Sequence, residues 1–211
     1  AGHEAKHAEN YRINSFHLGE GSPKQKFRAN MDAIYTLKTL ENQNRDATPE
    51  EQETLANYVG WGGLADAFDA EKTAWAGEYK ELKAALTEEE YAAARASTLN
   101  AHYTSPTVIR AIYEALDGMG FEKGNILEPS MGVGNFFGML PDSMLGSRLY
   151  GVELDSITGR IAQKLYPQAE IKVAGFETTD HRDFYDLAVG NVPFGNYRVS
   201  DKPYDKLGFS I

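Results

Sequence analysis

The chain has 211 residues, of which 42% are hydrophobic and none is cysteine, and its formal net charge is −10. This length and composition suit one medium hydrophobic core with a helical appendage, and they exclude thiolate metal sites and a disulfide framework. No apolar run approaches about 18 residues and no signal-peptide pattern opens the chain, so we expect a cytoplasmic protein. Because the charge is acidic, a nucleic acid would have to be held by a local patch or by another polypeptide.

The first 98 residues predict a flexible tail over residues 1–20 and a helical region over residues 21–98. His3 and His7 are spaced one helical turn apart, but no further ligand completes a site, so no metal is predicted there. Three helix starts carry a capping box, at Ser22-Pro23-Lys24-Gln25, Thr48-Pro49-Glu50-Glu51 and Thr87 to Glu90. Apolar residues at helical spacing extend the first helix to about Asn42.

A glycine cluster, Gly60-Trp61-Gly62-Gly63-Leu64, stops the second helix. It has too much glycine for a helix, and its tryptophan is a residue that favours burial. Two interpretations are open: a structural turn in which Trp61 is buried among the helices and fills the space between them, and a loop that lies over a ligand pocket. We favour the structural turn.

From residue 99 to 211 the pattern changes to short apolar strands that alternate with helices. Strands are predicted at 125–127, 148–154, 170–173 and 186–190, and helices after Ser105-Pro106 and over 157–166. Strands that alternate with helices indicate the α/β class, with a parallel, doubly wound sheet whose strand ends line one crevice.

The stretch NILEPSMGVGNFFG, residues 125–138, organises this half of the chain. A buried strand ends at Glu128-Pro129-Ser130, a turn follows with Gly132 and Gly134, and a helix starts next. Glycines allow a backbone to come close to a ligand, and the carboxyl ends of strands are where open α/β sheets bind ligands. The loop therefore predicts a site for a nucleotide-like cofactor.

The next predicted strand ends in Glu153, 21 residues after Gly132. A carboxylate at about this distance from a glycine loop can accept both hydroxyls of a ribose. The loop and Glu153 together indicate a cofactor that contains adenosine, and both NAD and S-adenosylmethionine fit this description.

The fourth strand leads into Asn191-Val192-Pro193-Phe194-Gly195. The amide oxygen of Asn191 and the carbonyl of Val192 can accept two hydrogen bonds from one planar amino group, while Phe194 stacks on the ring that bears it. This turn suits the exocyclic amine of a nucleobase, and hydride transfer does not require it.

The motifs HYTSP, LEPSMGVGNFFG, GVELD and NVPFG occur in this order between residues 101 and 195. In this order they resemble the motifs of adenine-specific, amino-group DNA methyltransferases of class I. The stretch YVGWGGL and its surroundings further resemble the methylase region of large helicase-methylase proteins of bacterial conjugative elements and phages. The resemblance implies a Rossmann-like class I methyltransferase sheet, S-adenosyl-L-methionine as cofactor and N6-adenine methylation of DNA.

The resemblance also assigns roles to single residues. It places Tyr103, Thr104 and Pro106 at the methionine carboxylate, and Glu153 at the ribose. The remaining cofactor contacts that it implies are Glu128, Pro129, Gly132, Gly134, Leu154 and Phe176. Its catalytic turn is Asn191, Val192, Pro193 and Phe194, with a flipped adenine stacked on Phe194.

Two positions depart from the family pattern. Val192 stands where the family usually has proline, which frees a backbone N–H but leaves the acceptor carbonyl in place. Gly175 precedes Phe176 where the family commonly has an acidic residue, and Glu177 follows. The carboxylate acceptor for the adenine amino group is therefore expected from Glu177 if from any residue here.

The chain ends 16 residues after Gly195, so we expect only the first four strands of the sheet. We interpret it as a fragment of a larger protein that is inactive alone and meets DNA through regions outside this chain, among them a possible helicase domain. Three alternatives stay open: methylation of RNA adenine or of protein glutamine, an NAD-dependent oxidoreductase, and a non-catalytic docking module.

Overall fold

The computed structural model describes residues 8–14, 19–98, 103–181 and 183–192. Its helices are α1 (Pro23–Asn42), α2 (Pro49–Ala56), α3 (Ala76–Ala85), α4 (Glu88–Ser97), α5 (Pro106–Gly118), α6 (Asn135–Gly138) and α7 (Ser156–Leu165). Its strands are β1 (Asn125–Glu128), β2 (Arg148–Glu153), β3 (Glu170–Val173) and β4 (Leu187–Ala188). No helix among the described residues is both long enough and apolar enough to cross a membrane.

The predicted capping boxes set the starts of α1, α2 and α4. At α1, Ser22 accepts a hydrogen bond from the backbone N–H of Gln25, and the Gln25 side chain accepts one from the backbone of Ser22. The same reciprocal pair forms at the other two helices. Each box satisfies two backbone N–H groups that the helix itself leaves unpaired, so the sequence places these helix starts correctly.

The four strands form one sheet in the order β3-β2-β1-β4, and every neighbouring pair is parallel. This confirms the predicted α/β class with a parallel sheet and helices before it. The chain adds β2 and β3 on one side of β1 and then returns to add β4 on the other side. The carboxyl ends of β1 and β4 therefore flank the position where open α/β sheets bind ligands.

Helix α7 lies between the sheet and the helical region. It packs against β2 and β3 on one side and against α1 and α2 on the other. A Cβ atom at Gly159 would lie 2.8 Å from Cγ2 of Val173, so the glycine allows α7 to lie close to β3. Six of the ten residues of α7 are buried, which matches a helix covered on two sides.

Residues 8–14 differ from the flexible tail that the sequence predicts. The backbone N–H of Tyr11 donates to the carbonyl of Leu165 (2.8 Å), and that of Ile13 donates to the carbonyl of Gly138 (2.9 Å). Arg12 also donates to the carbonyl of Leu140 (2.6 Å). These partners lie more than 120 residues away in sequence, so composition alone could not predict them.

The turn after α2 is structural, as the sequence predicts. Trp61 is 1% exposed and packs edge-on against Tyr58 and Phe68, with ring centroids 6.3 and 5.2 Å away. Asn30, which is fully buried in α1, donates to the carbonyl of Gly60 (2.6 Å) and accepts from the N–H of Val59 (2.9 Å). One amide side chain thus pairs with the backbone groups of two consecutive residues at the start of the turn.

An ionic network joins α7 to the helical region. Arg160 donates to both carboxylate oxygens of Glu41 (2.7 and 2.8 Å) and to Glu90 (2.7 Å). Lys38 also pairs with Glu90 at 3.0 Å, and the backbone N–H of Thr87 donates to the Glu90 carboxylate. Burial alone would raise the pKa of Glu90, but its bonds to Arg160, Thr87 and Lys38 outweigh that and lower the pKa to about 2.

This network predicts a dependence of stability on pH. Because the pKa of Glu90 is lower in the folded than in the unfolded protein, its stabilisation is present above its unfolded pKa and is lost as the pH falls towards 2. Between pH 5 and pH 3 we expect the wild-type protein to lose about 1 to 2 kcal/mol more unfolding free energy than Glu90→Gln. Urea unfolding at several pH values measures the difference.

The control is Glu88→Gln, which changes an exposed glutamate in the same first turn of α4. It should follow the wild-type curve. Equal pH dependence of the Glu90→Gln variant and the wild type would show that the network does not stabilise the protein.

Candidate functional site

Glu153 connects the ends of two neighbouring strands. Its carboxylate accepts a hydrogen bond from the backbone N–H of Gly132 in the loop after β1 (2.8 Å) and another from the N–H of Asp155 at the start of α7 (2.8 Å). The predicted glycine loop is therefore in direct contact with Glu153, the residue predicted to bind the ribose. Two parallel strands with adjacent carboxyl ends bring them together.

The two glycines of the loop have left-handed backbones, with φ of 56° at Gly132 and 81° at Gly134. A Cβ atom at Gly132 would lie 2.5 Å from Cε1 of Tyr103, and one at Gly134 would lie 2.5 Å from Cε2 of Tyr166. The sequence predicts that these glycines admit a ligand, whereas in the structure two protein rings occupy the space beside them. Tyr103, a predicted cofactor residue, thus packs directly on the loop.

Two carboxylates lie close together at this edge. Glu128 is 3% exposed, and no hydrogen-bond donor of the described residues reaches its Oε2 atom. Burial raises the pKa of Glu128 well above its usual value, and the negative charge of Glu153 raises it further. Burial also raises the pKa of Glu153, against the effect of the N–H groups of Asp155 and Gly132. The site therefore has a buried acceptor and favours a positively charged ligand.

Two apolar side chains are exposed where β2 and β3 end. Leu154 is 76% exposed and Phe176 is 49% exposed. The Glu177 carboxylate folds back against Gly175, beside Phe176. The structure thus places an apolar pair and an acidic group at the ends of neighbouring strands, which suits a planar ring with an amino group.

The end of β4 meets the same edge. The N–H of Val189 donates to the carbonyl of Leu127 in β1 (2.9 Å), and a Cβ atom at Gly190 would lie 3.5 Å from both Cγ of Glu128 and Cδ of Pro129. Asn191 follows directly and is exposed.

The other predicted residues near this edge divide into described and undescribed ones. Val192 is 55% exposed. Thr104 is partly buried, and Pro106 is the first residue of α5. Pro193 and Phe194 lie outside the described residues. The structure therefore brings Asn191 and Val192 to the carboxyl edge of the sheet, and the stacking role of Phe194 stays a prediction.

Sequence reasoning gave no role at this site to Tyr58, Asp155 or Thr158. Asp155 caps α7 by accepting hydrogen bonds from the N–H (2.8 Å) and the hydroxyl (2.6 Å) of Thr158. Burial raises the pKa of Tyr58, which belongs to the helical region, and the negative charge of Asp155 raises it further. The capping pattern at Asp155 was readable from the sequence, but the position of Tyr58 depends on how the two halves pack.

A cavity of about 660 Å³ lies away from this edge, between α3, α4 and the turn over Ala65–Phe68. It contains none of the predicted site residues. Its rings of Phe68 and Tyr91 are buried, and Lys83 covers Tyr91 at 4.0 Å. We therefore place the candidate site at the carboxyl edge of the sheet.

No protein-family model matches the chain. It is similar to the Defense against restriction protein B of Escherichia phage P1, with 29% identity over 192 residues, which cover 88% of this chain and 7% of that protein. It is also similar to the Type II methyltransferase M.CvrRI of Paramecium bursaria Chlorella virus XZ-6E, with 34% identity over 92 residues, which cover 44% of this chain and 24% of that protein. The chain thus spans a small part of both relatives.

Among solved structures, the chain is similar to one described provisionally as a class I S-adenosylmethionine-dependent methyltransferase of Listeria monocytogenes. The sequence identity is 13% and the TM-score is 0.41, over 88% of this chain and 64% of that one. A likeness of this size adds nothing to the sheet order and strand directions given above.

Because the Tyr103 ring packs on the loop, we expect Gly132→Ala to lower the unfolding free energy more than an alanine does at another glycine with a positive φ. A left-handed backbone costs a non-glycine residue about 1 to 2 kcal/mol. Gly132→Ala adds the overlap with the Tyr103 ring, so its unfolding free energy should fall by more than this amount. Denaturant unfolding measures the loss.

Gly120→Ala is the control, because Gly120 also has a positive φ (82°) but no atom lies within 4 Å of its Cβ position. It should show the backbone cost alone. Equal losses in the two variants would contradict the packing of Tyr103 against the loop.

Proposed function

We propose that this chain is the cofactor-binding and catalytic-turn part of an S-adenosylmethionine-dependent methyltransferase that acts on the exocyclic amino group of adenine in DNA. The observation that carries the proposal is the meeting of three predicted groups at one sheet edge: the Gly132 loop, the Glu153 carboxylate and Asn191. The similarity to a viral type II methyltransferase supports it. The order of the four motifs supports the adenine specificity.

The residues at this edge fit S-adenosylmethionine, which carries an adenosine, an amino acid end and a sulfonium charge. The buried Oε2 of Glu128 is an acceptor for an N–H group of the amino acid end, and a bound cation favours the ionised carboxylate against the burial that raises its pKa. In this proposal Glu153 accepts ribose hydroxyls, and the exposed side chains of Leu154 and Phe176 contact the adenine. Tyr103 and Thr104 are assigned to the methionine carboxylate by the resemblance to adenine methyltransferases.

When bound, S-adenosylmethionine supplies an electrophilic methyl group. The residues of the chain contribute orientation: the Asn191 amide oxygen and the Val192 carbonyl accept hydrogen bonds from the target amine, which directs its lone pair. No side chain has to form a covalent bond with the substrate, so the site acts by positioning and by electrostatics. Phe194 is assigned to stack on the extruded base.

We assign DNA binding mainly to other regions of a larger polypeptide. The chain carries 31 acidic and 21 basic residues, whereas DNA affinity depends largely on positive charge placed against phosphates. The resemblance to helicase-methylase proteins supports a helicase domain among those regions.

Glu153 is the residue that the proposal assigns to the ribose. We expect Glu153→Gln to weaken binding of S-adenosylmethionine and S-adenosylhomocysteine by about 1 to 3 kcal/mol, because the charged acceptor for the ribose hydroxyls is lost. Glutamine keeps the shape of the side chain and one acceptor oxygen for the loop. Titration calorimetry measures the affinities, with NAD titrated alongside.

Glu170→Gln, an exposed change in β3, is the control and should bind as the wild type does. Binding of NAD in place of S-adenosylhomocysteine would replace the methyltransferase proposal with an oxidoreductase. An unchanged affinity of the Glu153→Gln variant would remove Glu153 from the site.

Asn191 is the residue that the proposal assigns to the target amine. In a polypeptide that contains this chain and methylates adenine in DNA, Asn191→Ala should reduce methyl transfer by at least about 100-fold, because a removed transition-state contact costs about that much. Cofactor affinity should stay within about twofold of the wild type, since Asn191 is assigned to the substrate amine. A tritiated-methyl assay and calorimetry on one preparation give both values.

Asn42→Ala, at the exposed end of α1, serves as the control and should leave both values unchanged. Parallel loss of transfer and of cofactor binding in Asn191→Ala would mean that the turn is structural.

A further inference from the structure

The cavity of about 660 Å³ in the helical region has no part in the proposed function. Each of two helices lines it with a tyrosine and, four positions later, a basic residue. These are Tyr79 and Lys83 in α3, and Tyr91 and Arg95 in α4. Because residues four apart share one face of a helix, each helix turns one face with both chemistries to the cavity.

The inner wall of the cavity is apolar and well ordered. The rings of Phe68 and Tyr91 are buried with their centroids 5.3 Å apart, and the Tyr91 hydroxyl donates to the carbonyl of Phe68 (3.3 Å). Tyr79 is partly buried and packs against the same hydrophobic core. A wall that is held in place by packing and a hydrogen bond suits a planar group, because little side-chain entropy is lost when the group binds.

The two basic residues of the cavity, Lys83 and Arg95, are exposed and form no ion pair in the described part of the chain. Five other basic side chains of the helical region pair with carboxylates: Lys24, Arg28, Lys38, Arg45 and Lys72. The Lys83 ammonium lies over the Tyr91 ring, 4.0 Å from its centroid, a contact that leaves N–H groups for an anion. Two cations without carboxylate partners at one cavity favour a negatively charged ligand.

The remaining lining narrows the choice of anion. Asp69 accepts a hydrogen bond from the backbone N–H of Glu71 (2.9 Å), and its side of the cavity repels negative charge but accepts from N–H and O–H groups. The volume lies within the range of small-molecule sites, about 300 to 1,000 Å³, and exceeds what inorganic phosphate fills. The ligand therefore needs an anionic group, a planar body and hydrogen-bond donors, and a nucleotide has all three.

We propose that this cavity binds a nucleotide, either free or within a single strand of DNA. The phosphate lies at Lys83 and Arg95, the base lies against the aromatic wall, and Asp69 accepts from an amino or hydroxyl group. The inference does not depend on the proposed function, because no residue of the cavity belongs to the candidate site at the sheet edge. A strand nucleotide held here would give this acidic chain the local basic patch that a nucleic acid requires.

The test titrates the whole chain with deoxycytidine monophosphate, which has an exocyclic amine and lacks the adenosine of S-adenosylmethionine. We expect the double variant Lys83→Gln with Arg95→Gln to raise the Kd by at least about tenfold, because two charged donors to the phosphate are lost. Ala70→Glu, at an exposed position of the lining, should also raise the Kd by adding a second carboxylate. Titration calorimetry gives the constants.

The matched control is the double variant Lys80→Gln with Lys123→Gln, which removes the same two charges at exposed positions outside the cavity. It should bind deoxycytidine monophosphate as the wild type does. Equal losses in the two double variants would overturn the proposal, because net charge and not the cavity would then account for binding. The affinity for S-adenosylhomocysteine should be the same in both double variants and the wild type.

Two further probes test the class of ligand and its source. Phenyl phosphate has a phosphate and a planar ring but no N–H donor, so binding as tight as that of deoxycytidine monophosphate would overturn the assignment to a nucleotide. A short oligodeoxycytidylate without terminal phosphates tests the DNA strand. Tighter binding of the oligonucleotide, weakened by Lys83→Gln with Arg95→Gln, identifies a strand as the source, and tighter binding of the mononucleotide identifies a free nucleotide.

The possible results separate this inference from the proposed function. If the wild-type chain binds S-adenosylhomocysteine but neither the mononucleotide nor the oligonucleotide, only the nucleotide cavity is overturned. If it binds a nucleotide through Lys83 and Arg95 but not S-adenosylhomocysteine, the cavity stands and the proposed function fails. A loss of S-adenosylhomocysteine binding in Lys83→Gln with Arg95→Gln would mean that these residues act through the fold, which also overturns the cavity.

Discussion

Two backbone N–H groups, those of Gly132 and Asp155, share the carboxylate of Glu153. This sharing ties the loop after β1 to the first turn of α7, so the geometry of the candidate site depends on one side chain. A carboxylate has about four lone-pair positions. Glu153 can therefore hold the loop and keep lone pairs for hydroxyl groups of a ligand, which is the role proposed for it.

The sequence predicted the features that arise within short segments. Capping boxes located the starts of α1, α2 and α4, and apolar runs located the strands, because both patterns are set by neighbours a few residues apart. The parallel sheet followed from the alternation of strands with helices. The meeting of Glu153 with the glycine loop also followed, since parallel strands put their carboxyl ends at one edge.

Contacts between distant segments were not predictable in this way. Arg160 bonds to Glu41 across 119 positions, and no local pattern marks either residue as a partner. The glycines at 132 and 134 were recognised, but the rings of Tyr103 and Tyr166 that require them were not, because this depends on tertiary packing. The contacts that join the helical region to the sheet region are thus the ones that could not be predicted from a single sequence.

The burial of α7 on two sides has a consequence for how the protein folds. The sheet covers one side of this helix, and α1 and α2 cover the other. Without the helical region, the sheet half would present an apolar helix face to water and would be prone to associate with other chains. The two halves should therefore gain and lose structure in one cooperative transition, and a recombination event that moves the glycine loop to another protein must carry the preceding helices with it.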